Sequence, residues 1–152
     1  MEAVKSLQGC MSEFTNLSEG KPINSAKIKP FYHEMCKDIL AEKNRIGGKW
    51  AVAQAVPTRE LRDEIRKDLG PQCIFITLSL SAETNMKRVE ARHSDGDEAF
   101  KKMICEWLNN MFKAYEPAQP DEENAINIVI GPEMSKDDVI KEILKRVEMH
   151  GN

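Results

Sequence analysis

The stretch Cys73–Arg92 reads CIFITLSLSAETNMKRVEAR, and the rest of the chain is organised around it. Cys73 to Leu80 is a nearly unbroken apolar run, too short for a typical helix and rich in β-branched and aromatic residues. Such a run suits a strand buried on both faces of a parallel sheet. Ser81 can cap a following helix by accepting from the unpaired N–H groups of its first turn. Ala82, Met86 and Val89 then line the inward face of that helix, while Arg88 and Arg92, four residues apart, share another face. Ligand crevices in parallel sheets lie at the carboxyl ends of the strands, so two guanidinium groups there could grip a phosphate. The same pair also fits a solvated basic face.

On the amino-terminal side, Ala3, Val4, Leu7, Cys10, Met11 and Phe14 recur at helical spacing. A polar, Gly- and Pro-containing loop follows, and a second helix is expected from Pro30 to the stop at Gly47-Gly48, with Phe31, Met35, Cys36, Ile39 and Leu40 inward. Trp50 to Val56 (WAVAQAV) reads as another strand, ended by Pro57. Thr58 can cap a helix whose Leu61, Ile65 and Leu69 face the core, closed by Gly70-Pro71. On the carboxyl-terminal side, a polar break at His93–Glu98 leads to a long amphipathic helix over Ala99–Tyr115. The acidic loop Glu116–Glu123 follows, then a strand at Ala125–Ile130 and a last helix after Ser135, whose pairing with Asp138 resembles a capping box. Strands alternating with helices predict an α/β domain, residues 1–152, with a three-layer parallel sheet.

The composition excludes several classes. With 152 residues, 31% charged, a net charge of −3 and a pI near 5.7, the chain lacks the basic surface of a general nucleic-acid binder. No apolar stretch has the length of a membrane span. The start resembles no signal peptide, so a cytoplasmic location is expected. Cys10, Cys36, Cys73 and Cys105 are far apart, with no CxxC pair and no clustered histidine; they read as small core residues rather than zinc ligands, and no metal site is expected. The phosphate loops GxxxxGK[ST] and GxGxxG are both missing. Gly47-Gly48-Lys49 precedes a strand instead of following one, so it reads as a helix stop. His33, His93 and His150 read as structural or solvated, His93 being the one nearest the arginine pair. Asp95, Asp97 and the run Asp121–Glu123 read as hydrated loop acids.

Several segments in order resemble the gluconate kinases, in the adenylate-kinase-like group of P-loop small-molecule kinases. EGKPIN with KPFYHEM is similar to their "G-x-P-L … R-x-P-W" segment. KWAVAQAVPTRELRDEIR is similar to their strand and "Y-R-D-x-L-R" helix, FITLSLSAETNMKRVEAR to the strand and "R-L-x-x-R" segment, and EPAQPDEENAINIVIGPEMSKDDVIKEI to the carboxyl-terminal part. The resemblance runs from about Glu19 onward. It implies that Arg88 and Arg92 hold nucleotide phosphates, that Gly131 and Pro132 border the adenine, and that Arg62, Gly20 and Lys21 lie on the substrate side. ATP and magnesium would be the cofactors and a small molecule, such as a sugar acid, the substrate. The chain departs from the family in lacking its first strand, its phosphate loop with Lys and Ser/Thr, and its "G-D-x-x-H-P" segment. The loop supplies much of the positioning and charge of phosphoryl transfer, so the resemblance implies weak or lost activity. Removing the central first strand leaves a gap, to be closed by direct pairing of Trp50–Val56 with Cys73–Leu80, by a dimer, or by the rest of a longer protein. The other readings are a regulatory or protein-interaction module on the same scaffold, with the Met- and aromatic-rich Ala99–Tyr115 helix as partner or homodimer face, and a fragment or alternative start of an intact kinase.

Overall fold

A computed structural model describes residues 10–17, 19–92 and 97–150, apart from the side chain of Arg92. The order of elements is α1 (10–17), α2 (Ser25–Ile46), α3 (Arg59–Leu69), β1 (Phe75–Ser79), α4 (Ala82–Arg92), α5 (Glu98–Ala114), β2 (Ala125–Val129) and α6 (Lys136–His150). The chain is thus mixed α/β. The expected amino-terminal part of the first helix lies outside the described residues, as do His93 and Asp95.

The buried core is mainly helical. Cys10 of α1, Ile28, Tyr32 and Cys36 of α2, and Leu61 and Ile65 of α3 form one cluster. The spacing of four along α2 and along α3 puts these residues on one stripe of each helix. Phe14, Val56, Leu69 and Phe75 pack around the cluster. α2 begins five residues before the expected Pro30, because Asn24 caps it: its Oδ1 accepts from Ala26 N–H at 3.1 Å. Pro30 then sits inside the helix, where its missing N–H leaves one backbone bond unmade near the start. The other end closes as the sequence predicts. Gly47, at φ +77°, donates its N–H to Lys43 O at 2.7 Å, a backbone conformation that costs a side-chain-bearing residue.

A buried carboxylate fixes α1 against α2. Glu13 is 1% exposed; it accepts from Asn24 N–H at 2.8 Å and pairs with Lys27 at 3.0 Å.

The sheet has two parallel strands, β1 beside β2, in the register Phe75↔Ala125 to Ser79↔Val129. Thr77, which is buried, donates to Asn127 Oδ1 at 2.9 Å and accepts from Ala118 N–H at 3.0 Å, which pins the incoming loop to the middle of β1. Two expectations are corrected here. Trp50–Val56 is not a strand and does not pair with β1; it runs outside the sheet, with Trp50 and Val52 exposed. Both ends are tied down: Trp50 donates its indole N–H to Gly47 O at 2.9 Å, and at the other end Tyr32 donates its hydroxyl to Ala55 O and Glu116 N–H bonds Pro57 O. The Cys73–Leu80 run is not buried on both faces, since Leu78 remains 38% exposed.

The helical cluster should dominate stability. Leu61→Ala is expected to cost about 2–5 kcal/mol in urea unfolding followed by circular dichroism. Leu144→Ala, at an exposed position of α6, should stay within about 0.5 kcal/mol of the parent chain.

Candidate functional site

Two places gather chemically capable side chains, one at each end of the strands. The first joins α3 to the loop that enters β2. The arginines Arg59, Arg62 and Arg66 recur three and four residues apart on α3 and so present guanidinium groups to one side. Arg62 is buried, and its Nε and Nη2 donate to Glu122 Oε1 and Oε2 at 2.7 and 2.8 Å, a two-pronged pair. Its Nη1 donates to Glu116 O at 2.7 Å. Arg66 adds a contact to Glu122 at 3.3 Å and another to Asp63 at 2.5 Å, and its guanidinium lies 5.1 Å from the Phe75 ring centre. Arg66 Nε is buried without a described hydrogen-bond partner.

A cleft of about 530 Å³ opens beside this cluster, lined by Arg59, Asp63, Arg66, Lys67, Asp121 and Glu123 among others. Its cations are already neutralised within the chain: Arg59 by Asp121 at 2.8 Å, Arg66 by Asp63, and Lys67 by Glu64 at 2.9 Å. Hydrogen bonding from Arg59 holds the Asp121 carboxyl below its ordinary range. The cleft is therefore a polar surface of matched charges, with no unpaired cation to attract an anion among these three.

The second place lies beyond the carboxyl ends of both strands. Ser81 caps α4, its Oγ accepting from Thr84 N–H at 3.0 Å. α4 then carries Arg88 to the turn after β2, where its Nη2 donates to Met134 O at 3.1 Å. That turn contains Gly131 and Pro132 and is closed by Met134 N–H on Gly131 O at 3.3 Å. Arg88, Gly131 and Pro132 are thus brought together, while the side chain of Arg92 lies outside the described residues. The substrate-side set is not brought together. Arg62 is built into the α3 cluster, Gly20 packs near Asn110 of α5, and Lys21 pairs with Glu19 at 2.5 Å on an exposed turn.

Among the described residues no group of His, Cys, Asp and Glu could hold a metal ion, and no helix is long and apolar enough to cross a membrane. The described cysteines are free. Burial pushes the Cys36 thiol up to about 11 and raises Cys10 and Cys73, so none of these three is a ready nucleophile. The acidic run Asp121–Glu123 is not wholly hydrated as expected: Glu122 is buried and is the main acceptor of the cluster. The signal that could have found it is the complementarity of the α3 arginine stripe and that run. No protein-family model, curated protein or solved structure matches the chain.

Both buried carboxylates make stability depend on pH. Hydrogen bonds from Arg62 hold Glu122 below its ordinary 4.5, and the Asn24 N–H and Lys27 do the same for Glu13. A lowered folded value means the stabilisation is complete above the ordinary carboxylate range and is lost as pH falls through the folded value. Unfolding free energy should therefore be level near neutrality and fall steeply below about pH 4. Glu122→Gln, which leaves a buried guanidinium without its charge partner, should cost about 3–5 kcal/mol and flatten part of that acid limb. The double variant Arg62→Met/Glu122→Leu should recover most of the loss in the same titration.

Proposed function

We propose that the chain is a non-catalytic interaction or regulatory module on an α/β scaffold. The apolar surface left open around the sheet carries this reading. Met103 and Trp107, four apart on α5, are exposed, as are Ile140 and Leu144 on α6 and Val129 on β2. Neither α5 nor α6 has a fully buried residue, although each is amphipathic. Helices gain most of their stability by burying an apolar face, and exposed stripes of this kind mark surfaces that meet a partner.

A second reading is favoured by one specific observation, the meeting of Arg88 with the Gly131–Pro132 turn past the strand ends. It is a kinase-like phosphotransferase, ATP- and magnesium-dependent and acting on a small molecule, in which the three-layer P-loop sheet is truncated and turnover is weak or lost. Ligands of parallel sheets bind at that end. It ranks second because the chain has no loop of N–H groups and Lys to cradle the phosphates.

A calorimetric titration with ATP, with and without magnesium, separates the two. No heat up to millimolar ATP is expected. Saturable binding that Arg88→Ala abolishes would overturn the module reading and support the phosphotransferase.

A further inference from the structure

The outer edge of β1 is unusual in its chemistry. Phe75 N–H bonds Asn124 O at 2.9 Å, and Ile130 N–H bonds Ser79 O at 2.7 Å, which sets the phase of the parallel ladder. Phe75, Thr77 and Ser79 turn their main-chain groups toward β2, so Ile76 and Leu78 turn theirs the other way. Among the described residues nothing on that side pairs with them. Natural edge strands are blunted by a charged residue, a proline or a bulge. From Cys73 to Leu80 there is neither charge nor proline. Two strands alone make a marginal sheet, and a parallel pair is normally covered and flanked.

The edge is also complementary to itself. Ile74, Ile76, Leu78 and Leu80 stand at alternate positions, symmetric about Thr77. An antiparallel copy related by a two-fold axis at Thr77 sets Ile76 opposite the partner's Leu78, and Leu78 opposite the partner's Ile76. Each opposed pair exchanges both main-chain hydrogen bonds, and the side chains of an opposed pair lie on the same face. The partner's Ile76 then covers Leu78, which is 38% exposed in the single chain.

We infer that the outer edge of β1 is a homodimer interface, in which β1 pairs antiparallel with β1 of a second copy to give one continuous sheet. The occupant is a second copy because a symmetric apolar edge satisfies itself, and closed two-fold dimers are the simplest way to do so. The inference gives the interaction reading its partner and rests on it for its functional sense, but its test is independent of it.

Sedimentation velocity of the full chain over a concentration series is expected to show reversible passage from 17.3 kDa to twice that mass. Leu78→Pro removes an outward N–H without touching the β2 ladder and should give a monomer at every concentration with the parent circular dichroism spectrum. A second measurement does not depend on that variant folding. With the half-buried Cys73 and Cys105 changed to Ser in both, Ile76→Cys and Leu78→Cys chains, mixed in equal amounts and oxidised, should form a disulfide dimer that neither forms alone, since the opposed Cα atoms lie within disulfide reach. A chain that stays monomeric with no mixed disulfide overturns the inference, whether β1 is closed by its own Trp50–Val56 segment or by a different protein, and leaves the module reading standing. A dimer that persists in Leu78→Pro and gives no mixed disulfide places the contact elsewhere and also overturns it. ATP binding together with the mixed disulfide would sink the module reading and keep the dimer.

Discussion

The Arg62–Glu122 pair joins the two halves of the molecule. One half is the helical cluster of α1, α2 and α3, and the other is the pair of strands with α4, α5 and α6. Among the described residues, Phe75 of β1 packs against the helical cluster. The guanidinium of Arg62 reaches out of α3 and takes hold of both Glu122 and the Glu116 carbonyl, so the loop entering β2 is tied at two points. Withdrawing two charges from water is costly, and only a fully hydrogen-bonded geometry offsets it. Here all three donor directions of Arg62 used by the loop are short and aligned, and Arg66 gives Glu122 a further donor. That clasp holds the loop entering β2 against α3.

Much of the helical half was legible in the sequence because its signals are local. Leu61 and Ile65 of α3 and Cys36 of α2 are buried as their spacing predicts, whereas Ile28 and Tyr32, the other buried residues of α2, are not among the inward positions expected for that helix. Thr58, Ser81 and the Ser135–Asp138 box act as caps where their residue types predict. The start of α2 was not legible, since Pro30 is a stronger visible signal than Asn24, yet the cap at Asn24 prevails. The strand at Trp50–Val56 failed for a different reason. β-propensity describes how well a side chain suits a pleated, half-buried surface, and Trp50 and Val52 lie exposed outside the sheet instead.

The candidate site was less legible, because its members come from distant parts of the chain. Nothing local in Pro120–Glu123 tells which of three successive acids turns inward. The choice is made by the arginine stripe of α3, some sixty residues earlier. Arg88 was placed by the rule that ligand crevices of parallel sheets lie at the strand ends, whereas Gly131 entered the candidate site only through the kinase resemblance.

The parallel register has a consequence for how the chain reaches its native state. Thr77 and Asn127 are fifty residues apart in sequence, and a parallel pair cannot form until α4, α5 and the loop after them have been brought round. The contacts within α2 and α3, such as Lys29 with Glu64, span thirty-five residues and are reinforced by a stripe of apolar neighbours. Topology of this kind orders the events in time: local helix pairing is fast, and closure of long loops is slow. The helical half is therefore the natural nucleus, with the strands joining late, and until they do the apolar run Cys73–Leu80 is open along its whole length to solvent and to other nascent chains.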